Sequence, residues 1–392
     1  MKKVIRIFSI LVALSAICIV VYQIHKMYNK DVQEGLDEEI SYTPSRKNEK
    51  PDYPGPFDNP LEFHYELLDF GERPCWSPDG KRIAFVESNY GDICEIDFIT
   101  RKVKNLTKNL GNHHSFLRVH YLPTGDYILI GPAEFKDRNT SRLVESELWF
   151  MDKDAKEPPK QLGKRIFEGC ATSRIANRIS YSVSSRQDSL IERDFHEICV
   201  ADVEITGKNA RLVNERVVYR AGRGLDPESQ DFRQNDSEII VAEYTRGDAI
   251  RGSTCTVKGI KIETGEVKLY LHELGVYNEP EGIFPNDENF ICVESTAYNE
   301  DITAPPTDVW KLKLDGINVE RVRMTRMFER KPWRSSNPVV SPDGKWLAFM
   351  INLHTSEAGY GMGLGLLDLE AWGKSEYAKQ WEIPKNIAHT DH

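Results

Sequence analysis

The segment CWSPDGKRIAFV (residues 75–86) and its near copy VVSPDGKWLAFM (residues 339–350) decide the fold. Each holds Ser-Pro-Asp-Gly-Lys, one basic or aromatic residue, and then a short apolar run. The proline fixes φ, while Asp and Gly accept the conformations of a tight turn. The chain therefore reverses and enters a strand. In the first copy Ile83 and Phe85 point one way, Ala84 and Val86 the other. Both faces are apolar, which places the strand between two neighbouring sheets.

Weaker copies lie between these two: YLPTGDYILIG (121–131), TSRIANRISYSV (172–183), FRQNDSEIIVAEY (232–244) and IFPNDENFICVES (283–295). Aligned on the proline column, the six positions are Pro78, Pro123, Arg174, Gln234, Pro285 and Pro342, with separations of 45, 51, 60, 51 and 57 residues. Such a period marks a propeller or solenoid, and a sandwich does not repeat one turn at this spacing. A second strand–turn–strand unit follows each copy, giving four strands per repeat. The sequence thus predicts an all-β, six-bladed β-propeller. Its last blade lacks a fourth strand, which either LEFHYELL (61–68) or residues 380–384 can supply. Ring closure favours the first, because it removes an open sheet edge.

Composition agrees. The chain has 392 residues, 40% hydrophobic and 29% charged, which excludes a wholly disordered chain, a collagen and a polytopic membrane protein. Net charge is −10, and the first 30 residues carry five basic residues and no acid. The remainder is more acidic still, a poor surface for nucleic acid. Residues 7–24 (IFSILVALSAICIVVYQI) carry no charge. As a helix they span about 27 Å, enough to cross a bilayer. No small-x-small site follows, and Ile17 rather than a small residue precedes Cys18. The expected element is an uncleaved signal anchor, a single N-terminal transmembrane helix. Lys2, Lys3 and Arg6 keep its N-terminus cytoplasmic and place the propeller outside, periplasmic or extracellular. The expected organisation is 1–30 cytoplasmic tip and anchor, 31–60 disordered Pro-rich and acidic tether, 61–371 propeller, and 372–392 C-terminal tail with at most one closing strand.

With SPDGK turns leading into IAF and LAF strands, residues 61–371 resemble the WD-like, TolB-type β-propeller repeat family. The resemblance implies a six-bladed propeller, often a binding platform in the bacterial envelope. Related propellers include oligogalacturonate lyases and peptidase gating domains. The 21 residues after Ala371 are too few for a peptidase's catalytic domain.

No G-x-S-x-G, H-E-x-x-H, EF-hand or CxxC pattern occurs. Six cysteines lie outside the anchor, and those in apolar strands read as buried free thiols. Cys75 and Cys94, within one blade, are the pair best placed for a disulfide. His113, His114 and His120 cluster around Arg118, and alternation puts Arg118 and His120 on one face of an innermost strand. Polar residues also open the innermost strands of other blades. The expected ligand-binding set is Arg73, Arg118, His120, Asp231, Glu279, Glu281, Arg334 and Asn337, meeting around the central channel. Mixed Arg, His and Glu suit a sugar acid or a peptide terminus; equally, they satisfy one another around a water-filled channel. The glycine-rich stretch SEAGYGMGLG (356–365) reads as a loop near the channel mouth. No metal ligand set and no cofactor are expected. The function read from the sequence is a membrane-anchored, non-catalytic module that binds a protein or glycan at the channel mouth. The alternative is a lyase acting on an acidic oligosaccharide, with His120 as base and Arg118 or Arg334 as the carboxylate partner.

Overall fold

The computed structural model describes residues 42–45, 47–50, 52–167, 169–245, 254–297, 307–316, 320–356 and 359–384. The anchor expected at 7–24 lies outside them. Among the described residues no helix is long and apolar enough to cross a membrane.

The fold is a six-bladed β-propeller of six four-stranded antiparallel sheets. Their innermost strands are Glu72–Trp76, Arg118–Tyr121, Ala171–Thr172, Leu225–Arg233, Asn278–Ile283 and Trp333–Val340. We number the sheets one to six in that order. Sheet six takes its outermost strand, His64–Leu68, from the start of the propeller, pairing His64 with Leu367 and Tyr65 with Leu366. The ring is closed by the 61–68 segment. Residues near 382 do something else: Arg321 and Glu382 exchange backbone hydrogen bonds of 3.0 and 2.9 Å at the outer edge of sheet five.

The SPDGK turns are built identically. Asp79 Oδ1 accepts from Ser77 Oγ at 2.6 Å and from Lys81 N at 3.1 Å, and Gly80 has φ +68°. Asp343 Oδ1 accepts from Ser341 Oγ at 2.6 Å and Lys345 N at 3.1 Å, and Gly344 has φ +70°. The short side chains satisfy backbone donors that the reversal leaves open.

Beyond the first turn, the strand is covered on both faces. Ile83 and Phe85 pack with Trp346, Leu364 and Leu366 of sheet six. Ala84 and Val86 pack with Val119, Tyr121 and Leu129 of sheet two. All four strand residues are fully buried. Full burial of such a side chain contributes roughly 1.5–3 kcal/mol, so each blade is held by its two neighbours.

Antiparallel order gives the ring two different ends. The first-to-second-strand turns (77–81, 122–126, 341–345) share one, the turn face. The second-to-third-strand connections share the other, the loop face, where 132–146 and 185–195 are much longer. Within the 31–60 stretch, described residues lie against sheets six and one. The Tyr42 hydroxyl donates to Glu87 at 2.6 Å, Asn48 Nδ2 to the Gly361 carbonyl at 2.6 Å, and Trp333 Nε1 to the Pro54 carbonyl at 2.8 Å.

Candidate functional site

Four of the six innermost strands break register midway, between Glu72 and Cys75, Ser229 and Asp231, Pro280 and Ile283, and Ser336 and Val339. A bulge inserts an extra residue and re-aims the side chains around it. Here it turns Arg73, Gln230, Glu281 and Asn337 towards the axis. Arg73 and Asn337 take left-handed backbone to do so, with φ +50° and +47°. Gly359 closes over Arg73: it has φ +81°, and a Cβ there would collide with the Arg73 guanidinium.

The axial channel holds two cavities that share Arg73, Arg118 and Asn337 as a waist. At the waist Asn337 Nδ2 donates to Glu281 Oε1 at 2.9 Å, and Arg118 Nη1 lies 3.8 Å from Glu281 Oε2. Arg73 Nη1 donates to the Leu117 carbonyl at 3.1 Å.

The cavity at the turn face measures about 320 Å³ and is rimmed by Pro78, Pro123, Pro285 and Pro342, with Trp76 and His120 inside. Arg174 stands in the proline column of the third repeat. It pairs with Asp231 and donates to the Phe232 carbonyl at 3.1 Å, tying sheet three to sheet four. Burial, reinforced by Arg118 and Arg73, depresses the His120 pKa to about 3, and its Nε2 has no protein partner. A ring so held is neutral and weakly basic.

The cavity at the loop face measures about 350 Å³. Arg73, Arg118, Arg142 and Arg334 reach it from sheets six, one and two. Asp226, Glu228, Glu279 and Glu294 reach it from sheets four and five. Glu279, Glu281 and Glu294 each offer an oxygen within 4.8 Å of the others, and among the described residues this is the set with the spacing to hold a cation. Burial raises the Glu281 pKa, with Glu279 adding to it, and raises that of Glu294 further.

The structure therefore divides the eight residues expected from sequence. Arg73, Arg118 and Asn337 face both cavities; His120, Asp231 and Glu281 line the turn-face one; Glu279 and Arg334 line the loop-face one. His113 and His114 lie apart from His120. His113 Nε2 meets the Pro132 carbonyl at 2.6 Å and its ring stacks on Trp149, while His114 Nδ1 meets Asp92 at 2.7 Å. The six described cysteines are free thiols.

Sequence reasoning missed Glu294, Asn352 and Arg142. The first two sit on second strands, in the runs FICVES and WLAFMINL. A single polar residue inside such an apolar run must find a polar partner, and that was the available signal. Arg142 lies on a six-residue helix, Arg138–Leu143, in the 132–146 loop, where no periodicity marks it.

No protein family model matches the chain, and no curated protein matches it in sequence. Solved structures share its fold. An oligogalacturonate lyase in complex with manganese is 12% identical, with a TM-score of 0.46 over 80% of this chain and 96% of that one. A gluconolactonase of Xanthomonas campestris is 12% identical, with a TM-score of 0.49 over 83% and 99%. The soluble aldose sugar dehydrogenase of Escherichia coli is 10% identical, with a TM-score of 0.47 over 77% and 97%. At these identities the likeness concerns the fold.

Proposed function

We propose that this chain is a ligand-binding propeller that takes up a small carboxylate-bearing molecule, a sugar acid or a peptide terminus, in its loop-face cavity. The observation that carries the reading is Arg334 beside Asn352 on one wall of that cavity, with Arg73 and Arg118 next to them. Asn352 is 0% exposed, yet its Nδ2 has no protein partner, and neither does the Arg334 Nε. Donors without acceptors in a concave polar site are what an anionic ligand satisfies. The anchor at residues 7–24 and the extracytoplasmic placement belong to the same proposal and rest on the sequence. The TolB-type turns support the binding role by resemblance.

The lyase reading fits the geometry less well. His120 faces the turn-face cavity and Arg334 the loop-face one, so those two do not act on one substrate; Arg118, the other expected partner, does line the turn-face cavity with His120 but lies 3.8 Å from Glu281. His120 is also too weakly basic, at a pKa of about 3, for general-base elimination near neutral pH.

The test is thermal-shift and calorimetric titration of the full chain with glucuronate against glucose. Glucuronate is expected to raise Tm saturably and glucose to leave it unchanged, with Arg334→Ala abolishing the response. Equal responses to the two sugars, or none from glucuronate and short peptides together, would end the reading. For location, the chain is expected in the membrane fraction and is released when residues 1–30 are removed; a soluble full chain would refute the anchor.

A further inference from the structure

The charges around the loop-face cavity are sorted by sheet. The arginines come from sheets six, one and two, which are neighbours in the ring, and the acids from sheets four and five opposite them. Glu279 and Glu294 are 7% and 4% exposed. Glu279 is held by neutral donors, the Tyr277 hydroxyl and Gln230 Nε2. Glu294 accepts from the Asn337 backbone N–H. Neither makes an ion pair among the described residues, and neither does Arg334. Burial, with Glu279 and Glu281 adding to it, raises the Glu294 pKa well above its usual value, and Arg334 only opposes that rise. A buried charge needs a matching one: Glu294, raised in this way, ionises when a cation arrives beside it, and Arg334 lacks an acid partner among the described residues.

Resting on the binding reading above, we propose that the ligand is a zwitterion of the amino-acid or short-peptide class, its carboxylate on Arg334 and Asn352 and its ammonium on Glu279 and Glu294. A sugar acid satisfies only the cationic wall. A divalent metal satisfies only the acidic one, and it meets two disadvantages. Both oxygens of Glu279 already accept from O–H and N–H donors. Arg118, 3.8 Å from Glu281, and the other arginines of the cavity repel a double positive charge. An ammonium carries a single charge and three N–H donors, so it joins an existing hydrogen-bond network without stripping it.

Calorimetry of the full chain with three matched probes decides. Glycylglycine carries both charges, N-acetylglycylglycine only the carboxylate, and glycylglycine methyl ester only the ammonium. Glycylglycine is expected to bind about tenfold more tightly than either relative. Glu279→Gln and Glu294→Gln should each erase its advantage over the acetylated peptide while leaving acetylated-peptide binding intact. If the acetylated peptide and glucuronate bind as tightly as glycylglycine, the zwitterion assignment falls and the carboxylate reading stands. Should no carboxylate bind at all, the carboxylate reading falls with it. Calcium or manganese binding that glycylglycine does not displace also overturns the assignment. The wild-type comparison needs no variant, so a misfolded glutamine variant does not spoil the test.

Discussion

At the turn face, four prolines and the Arg174–Asp231 pair frame a cavity of about 320 Å³; at the loop face, four arginines and four acids frame one of about 350 Å³. The same innermost strands feed both. What differs is the chain that joins them. Short turns of four to six residues, two of them the same Ser-Pro-Asp-Gly-Lys, frame the turn face with prolines. Connections of unequal length at the other end bring in Arg142 and Gly359, and residues of the second strands, Glu294 and Asn352, reach the axis there. Repetition builds the scaffold, and departure from repetition builds the site.

That contrast makes the two strong repeats interchangeable in stability. Phe85 and Phe349 occupy equivalent places and both are fully buried. Each Phe→Ala variant should lose about 3–5 kcal/mol in urea unfolding. A large inequality between them would mean that sheets one and six are not packed alike.

A smaller effect sits where the loop face meets the first blade. Glu72 is 1% exposed, accepts from Gly361 N at 2.9 Å and Asn48 Nδ2 at 3.4 Å, and lies beside Arg73. Burial raises its pKa to about 8, with the Gly361, Asn89 and Asn48 hydrogen bonds and Arg73 opposing. The unfolded chain ionises this group near 4.5, so the folded state holds the extra proton between the two values. Stability from this group is complete below about pH 4.5 and is lost as pH rises towards 8, by a few kcal/mol at most. Melting temperatures should fall by several degrees over that window, and Glu72→Gln should flatten the decline. A wild-type profile that rises from pH 5 to 8, or is unchanged by the substitution, contradicts this.

The smallest effect belongs to the turns. Asp79→Ala and Asp343→Ala each remove the same two accepted hydrogen bonds and should each cost about 1 kcal/mol, measured by thermal unfolding. Neither should alter ligand binding at the opposite mouth.

The same contrast explains what the sequence disclosed. Ser-Pro-Asp-Gly acts within five residues, so turns, strand count and ring were readable directly, including closure by residues 61–68. Alternation put Arg118 and His120 on one face, and position at the opening of an innermost strand picked out the other six. Neither signal assigned them to a mouth, because a bulge shifts the facing side by one residue and nothing local announces it. Glu294 and Asn352 were hidden for a related reason. Their strands read as fully buried, and only the ring's geometry shows that one end of such a strand opens on the axis. The third repeat has Arg174 where the strong copies have proline, and that residue joins two sheets.

The claim that the loop-face mouth is the binding site is tested most directly by calorimetric titration of glycylglycine into the wild type, Arg334→Ala and His120→Ala. Arg334→Ala should weaken binding about tenfold or more, the ~1.4 kcal/mol or greater of a lost charged hydrogen bond, and His120→Ala should leave it within about twofold. Binding that survives Arg334→Ala and is abolished by His120→Ala would place the ligand at the other mouth and contradict the account.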